Sequence, residues 1–221
     1  MTILVTAGNT LAMIDRVRAI TNVFSGRTGA AIALEAAQRG HTVTLLTSHP
    51  ETIPAGSTVN VRPYRTFEDL AELMAHELRQ QPGAVVHAAA VGDYQIAGVY
   101  SGTLTGNQAE GLIDVRAGKV KGAHHELWLR LLPAPKLVDL VRTAWGFTGT
   151  LVKFKLEVDV TEAELLRIAE ASRLHSHADL MVANTLDGAA QWAFIGAGEY
   201  QKVPRPHLAR SVVNHIEALQ T

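Results

Sequence analysis

Short apolar runs rich in β-branched residues alternate along this chain with segments of helical periodicity, and that alternation constrains the fold more than any other feature. Ile3-Leu4-Val5-Thr6, stopped by Ala7-Gly8, reads as a buried first strand. His41–Thr47 reads as a second strand, Val59–Tyr64 as a third, and Ala84–Ala90, nearly all small and apolar, as one buried on both faces. Glu126–Leu132, Thr150–Lys155 and Asp179–Ala183 continue the series. Between them, Gly26–Arg39 is an alanine-rich helix closed by Gly40. Thr66 can cap a helix that sets Phe67, Leu70, Met74 and Leu78 on one face. Pro135–Thr143 reads as a short helix with Pro in its first turn. Thr161 and Glu164 predict a capping box for a helix reaching about Arg173. Arg205–Leu219 has the pattern of an amphipathic C-terminal helix. This order predicts an α/β fold: three layers, Rossmann-like, with a mostly parallel sheet joined by right-handed crossovers.

Two stretches interrupt the alternation. Asn9 to about Ser25 reads as a long turn. Gly92–His125 holds Gly102, Gly106, Gly111, Gly118 and Gly122 among polar residues, and it reads as a flap or lid excursion of about residues 92–125. No internal repeat, low-complexity tract or linker divides the chain, so a single nucleotide-binding domain over residues 1–221 is expected.

Composition removes several function classes. The net charge is -1, without the basic excess of a nucleic-acid binder, so no nucleic acid is expected as partner. Cysteine is absent, which excludes a disulfide framework and thiol catalysis and fits a reducing, cytoplasmic setting. No apolar run approaches the roughly 18 residues of a membrane span, and Met1–Thr6 runs straight into a strand without a signal-peptide pattern, so neither membrane nor secretion is expected.

The turn before the first helix points to chemistry. Ser25-Gly26-Arg27-Thr28-Gly29 follows a strand and opens a helix. Helix N-terminal N–H groups and the helix dipole bind phosphate, glycines permit close approach, and Arg27 can pair with the anion. A tight turn beneath a packed helix is the plainer reading of the same residues. The spacing from Gly8 is too long for the usual dinucleotide fingerprint.

Five blocks occur in order along most of the chain. They are Thr6-Ala7-Gly8-Asn9-Thr10 with Asp15-Arg16-Val17-Arg18, Ile20-Thr21-Asn22 and Ser25–Gly29; Ala88-Ala89-Ala90-Val91-Gly92-Asp93-Tyr94; Pro133-Ala134-Pro135-Lys136-Leu137; Phe154-Lys155-Leu156-Glu157-Val158-Asp159; and Ala178-Asp179-Leu180-Met181-Val182-Ala183-Asn184. Together they resemble the phosphopantothenate–cysteine ligase family, in its short stand-alone bacterial form. At 221 residues, the flavin-dependent decarboxylase module fused to it in many bacteria is not expected here.

The resemblance implies a ligase of coenzyme A biosynthesis. CTP or ATP would activate the carboxylate of 4′-phosphopantothenate as an acyl-nucleotide, and the amine of L-cysteine would then form the amide. Such chemistry depends on positioning and charge neutralisation rather than on a nucleophilic side chain. By the same resemblance, Asn22 would contact the acyl intermediate and Lys119, in Lys119-Val120-Lys121, would reach the phosphates from the flap, with Lys121 as fallback. Gly8, Ser25, Gly26, Arg27, Gly29, His87, Ala88, Ala89, Asp93, Pro135, Lys136 and Phe154 would line the nucleotide. Mg2+ would arrive with the nucleotide, no flavin or NAD is implied, and relatives are homodimers. Four of these residues also have a plainer reading: Asn22 as a loop amide, Asp93 as a strand-end cap, Lys119 as a solvated charge, Phe154 as core.

The chain departs from the family pattern at several points. Leu11-Ala12 stand where many relatives have an arginine, Arg27 replaces a lysine, and Ala171 occupies the place of a helix lysine; the nearest basic groups are Arg167, Arg173 and His175. A nicotinamide-dependent short-chain reductase shares the predicted fold, but none of Tyr64, Tyr94, Tyr100 or Tyr200 has a lysine four residues on. A non-catalytic nucleotide-binding relative is the other alternative. His124-His125 and His175/His177 lack the company of Cys or an HExxH spacing, so no protein-held metal is expected.

Overall fold

The computed structural model describes residues 1–105 and 108–220, and the backbone alone at 104, 105, 108 and 109; Gly106 of the glycine series lies outside the described residues. The first strand, β1 (Thr2–Ala7), is followed by a small hairpin, β2 (Leu11–Met13) and β3 (Ala19–Thr21), then α1 (Arg27–Gln38), β4 (Thr42–Thr47), β5 (Asn60–Pro63), α2 (Phe67–Leu78) and β6 (Ala84–His87). Next come β7 (Tyr94–Thr105), β8 (Gln108–Asp114), β9 (Leu127–Pro133), α3 (Leu137–Thr143), β10 (Thr150–Glu157) and α4 (Glu162–His175). The chain closes with β11 (Leu180–Thr185), β12 (Trp192–Ala197), β13 (Glu199–Pro204) and α5 (Leu208–Ala218).

Eight strands form the central sheet in the order β13-β12-β11-β10-β6-β1-β4-β5. The strands from β11 to β5 pair in parallel, and β12 and β13 join antiparallel at one edge. Alternate residues of each buried strand feed opposite layers. Ile3, Val5, Val43, Leu45, Val86, Val152 and Val182 pack with α1 and α5. Leu4, Leu46, Val85 and Leu151 pack with α2 and α3, while Met181 and Ala183 meet α4. Burying a side chain of this size contributes roughly 1.5–3 kcal/mol, and both faces of the parallel strands are covered, so the three-layer arrangement follows from the near-continuous apolar runs. From β1 the chain builds outward to β4 and β5. From β6 it builds the other way, to β10 and β11. The strand order therefore reverses between β1 and β6, at the kind of switch point where open α/β sheets place ligands.

The predicted helices are present, with adjusted ends. The first begins at Arg27 after a left-handed Gly26, and Gly40 (φ 85°) follows its C-cap. Thr66 caps α2 in a reciprocal box with Asp69. At α4 only half of the predicted box forms: Thr161 accepts from the Glu164 N–H, but the Glu164 carboxylate turns to Arg167 instead. The strand read as Ala84–Ala90 ends at His87, and α3 starts at Leu137, with Lys136 rather than Pro135 at its boundary.

The largest correction concerns residues 92–125. Much of what reads as a glycine-rich loop is strand: β7 pairs antiparallel with both β8 and β9 in a separate three-stranded sheet. The segment anticipated at 126–132 belongs to that sheet, not to the central one. Its glycines mark close packing. A Cβ on Gly98 would lie 2.4 Å from the Tyr100 ring, one on Gly102 would lie 2.8 Å from Leu112, and the ladder shifts register beside both. The long turn at residues 9–25 likewise contains the β2–β3 hairpin.

Candidate active site at the strand switch point

Two adjoining cavities open at the carboxyl ends of β1, β6 and β10, with Phe24, Ala89, Ala90, Phe154 and Leu156 lining both. The first, about 370 Å³, is walled largely by backbone and small residues: Gly8, Ser25–Gly29 and Ala88–Ala90, with Asn184 and Arg205 opposite. Its glycines are steric requirements. Gly26 has φ 71°, and a Cβ there would lie 2.6 Å from the Gly8 nitrogen; one on Gly29 would lie 2.6 Å from the Ala7 Cβ. Gly8 itself (φ 86°) abuts Ser48, whose Oγ would be 2.2 Å from an added Cβ. The turn therefore rests directly on the end of β1 and aims the start of α1 into the cavity. The N-cap of α1 is Gly26, and among the described residues no side chain caps the helix, so its first N–H groups remain available to an anion.

Arg205 completes this wall, donating to the Thr28 hydroxyl, and burial lowers the pKa of its guanidinium. In the sequence Arg205 reads only as the start of a helix, and Asn184 only as the last residue of the fifth block.

The second cavity, about 560 Å³, is built from side chains: Asn22, His87, Asp93, Lys136, Asp139, Lys153, Lys155, Ser172 and His175. Asn22 donates to the Ala90 carbonyl at 3.2 Å. Its loop is held by Asn9, which is buried and donates to Thr21 Oγ1 (2.8 Å) and to the Asn22 carbonyl (2.7 Å), while Ser48 donates to the Asn9 side-chain oxygen (2.8 Å). Asp93 and Lys136 form an exposed ion pair, and the Asp93 carbonyl accepts from the Ala134 N–H at 2.8 Å. His87 is buried beside Thr6, whose Oγ1 lies 3.0 Å from Nδ1 and accepts the Ala89 N–H. Burial first, then the charge of Lys153, pushes the His87 pKa down to about 4, with Asp139 opposing, so the ring is neutral near neutrality. Burial likewise lowers the Lys153 pKa.

Of the residues singled out from the sequence, Gly8, Ser25, Gly26, Arg27, Gly29, Ala88, Ala89 and Phe154 meet at the first cavity, and Asn22, His87, Asp93, Pro135 and Lys136 at the second. Lys119 is not gathered with them. It is exposed, lines neither cavity, and lies in a segment fastened elsewhere: Val120 donates to Asp15 (3.0 Å), and the Gly118 carbonyl accepts from Arg16 (3.1 Å). Lys121 is also exposed. Among the described residues no group of three or more His, Cys, Asp or Glu is placed to hold a metal ion, and no helix is long and apolar enough to cross a membrane.

Residues 1–199 match the family described as the DNA/pantothenate metabolism flavoprotein C-terminal domain. The chain belongs to this family. The coenzyme A biosynthesis bifunctional protein CoaBC of Thermococcus kodakarensis is 34% identical over 98% of this chain and 51% of its own length. The protein of the same name from Escherichia coli is 29% identical over 86% of this chain and 42% of its own. This chain thus spans about half the length of the curated relatives it matches. A solved structure, the DNA/pantothenate metabolism flavoprotein from Streptococcus pneumoniae, superposes with a TM-score of 0.83 at 30% identity, covering 99% of both chains. The C-terminal domain of a CoaBC protein shares the fold at a TM-score of 0.70 and 21% identity. These matches bear out the family resemblance carried by the five sequence blocks.

Proposed function

We propose that this chain ligates 4′-phosphopantothenate to L-cysteine, driven by CTP or ATP, in the cytoplasmic synthesis of coenzyme A. The observation that carries the reading is the pair of adjoining cavities at the strand switch point. One offers helix N–H groups and glycine-permitted backbone; the other offers an amide and several cations. Phosphates suit the first surface, and an acyl group undergoing transfer suits the boundary between the two.

In the first step a carboxylate oxygen of the acid attacks the α-phosphorus, and the bond to the β-phosphate oxygen breaks, releasing pyrophosphate. In the second the cysteine amine attacks the acyl carbon, the bond from that carbon to the nucleotide breaks, and the amine gives up a proton to solvent as the nucleoside monophosphate leaves. Asn22 presents an amide donor to the carbonyl oxygen, where negative charge grows. The start of α1, with Arg27, faces the phosphates. Phe154 stands between the cavities as an apolar surface for the nucleotide. Lys119 would reach the phosphates by closure of the flap segment, and Mg2+ would travel on the nucleotide. A homodimer is part of the same proposal.

The test is pyrophosphate release by the purified chain. It should require nucleoside triphosphate and 4′-phosphopantothenate together, and the amide product should appear by mass spectrometry only when cysteine is added. Release with nucleotide alone, or amide formation that ignores 4′-phosphopantothenate, would sink the reading.

A further inference from the structure

Lys153 stands in the second cavity without a direct ion pair: the Asp139 carboxylate, whose charge opposes the effect of burial on the lysine pKa, is reached only through the Ser176 hydroxyl. Along β10, Val152 and Phe154 face the α1 and α5 layer, while Lys153 and Lys155 face α3 and α4. In register Lys153 lies beside His87 on β6 and Met181 on β11. Its Nζ donates to the Ser172 carbonyl at 3.0 Å and to the Ser176 hydroxyl. Ser176 donates onward to Asp139, whose other carboxylate oxygen lies 3.3 Å from His175 Nε2. Asp139 is thereby engaged by Ser176 and His175. The other lysines of the cavity are paired, Lys136 with Asp93 and Lys155 with Glu157 at 2.8 Å. Among the described residues, Lys153 makes no ion pair, and both of its acceptors are neutral oxygens.

Holding a half-buried ammonium group against neutral partners is costly, and an incoming anion offsets that cost. Two of the three ammonium donors are spent on α4 and the residue after it, which fixes the direction of the stem and leaves one donor for the cavity. The sequence of α4, which walls this side, contains no lysine, so the strand supplies the charge. The neutral His87 ring beside it adds no competing charge.

We propose that Lys153 Nζ is the phosphate-binding cation of the second cavity, aligned by the Ser176–Asp139 pair. The phosphate belongs either to the nucleoside triphosphate or to the phosphorylated acid; naming these two sources rests on the ligase reading, whereas phosphate binding at Lys153 does not.

The experiment is isothermal titration of the full chain with inorganic pyrophosphate and, separately, with 4′-phosphopantothenate. Lys153→Met should weaken one of the two by about tenfold or more, the size of one lost charge-assisted hydrogen bond. Lys153→Arg should recover most of the loss, and Arg167→Gln, an exposed change on α4, should leave both affinities as they were. The ligand that loses affinity identifies the source of the phosphate. Unchanged affinity for both in a folded Lys153→Met chain overturns the proposal. A measurement on the unaltered chain guards against misfolding of that variant: reductive methylation of Lys153, followed by mass spectrometry, should slow with one of the two ligands. Equal rates with and without either also overturn it. If no ligation occurs but methylation of Lys153 is slowed by phosphate ligands, the ligase reading fails and this proposal stands. If Lys153→Met ligates at the unaltered rate, the reverse holds.

Discussion

The two cavities share a wall and yet are made of different material. Around the first, the chain offers glycines, alanines and main-chain N–H groups; around the second it offers lysines, carboxylates, histidines and an asparagine. A backbone surface is specified by what has to be missing, because one Cβ at Gly8, Gly26 or Gly29 would collide with its neighbour. A side-chain surface is specified by what has to be brought together, here from the β3–α1 loop, β6, the start of α3, β10 and α4. The first should therefore fail abruptly under small substitutions, and the second should yield in graded, separable ways.

Gly26→Val tests the abrupt side and should have the largest effect. The branched side chain would enter the Gly8 backbone at a left-handed φ. Nucleotide binding should fall below detection by calorimetry while circular dichroism still shows a folded chain; an unchanged affinity in a folded variant would put the phosphates elsewhere. Asn22→Asp tests the graded side. A carboxylate facing the developing oxyanion should slow amide formation by about 10²–10³-fold with nucleotide affinity nearly intact. Equal losses in affinity and turnover would reduce Asn22 to a structural residue.

His87 tests the second cavity through stability. Its folded pKa, about 4, lies below the ordinary value of 6.5. Between those two values the unfolded chain binds a proton that the folded chain refuses, so stability is complete above about pH 6.5 and falls as pH drops toward 4. The loss amounts to at most about 3 kcal/mol. Denaturant titrations from pH 7 to pH 4 should show this slope, and His87→Gln should flatten it; an unaltered slope would mean that the ring is not held neutral. The smallest effect is expected for Arg205→Gln, a charged side chain in a cavity walled largely by backbone and small residues. It should weaken nucleotide binding by about tenfold, and no change would confine Arg205 to holding Thr28.

The same difference in material governs what can be read from the sequence. Gly8, Gly26 and Gly29 announce the first cavity because steric necessity leaves a visible residue. The buried strands announce themselves through β-branched runs, since burial on both faces removes polar residues. Lys153, Asp139 and Arg205 are invisible by comparison: each is an ordinary surface-type residue until β10, α3 and the β13–α5 junction place it. The β12–β13 hairpin escapes notice because Gly196, Gly198 and Pro204 punctuate it and only β12 carries a continuous apolar run. The flap strands are concealed by glycines that serve packing and bulges, although glycine in a polar context reads as loop.

Asp15 has a mechanical consequence. Its carboxylate accepts the Val17 and Arg18 N–H groups (2.8 Å each), the Arg18 guanidinium and the Val120 N–H at 3.0 Å, and the Arg18 guanidinium also reaches the Val120 carbonyl. These bonds hold the Asp15 pKa well below the usual carboxylate range, so the latch stays ionised throughout the physiological range. The segment carrying Lys119 is thus pinned at one point to the β2–β3 hairpin, whose far strand leads directly to Asn22. Any closing stroke of that segment must either break several hydrogen bonds at once or carry the hairpin with it. In the second case Lys119 and Asn22 are driven by one lever, and a pull on either end is felt at the other.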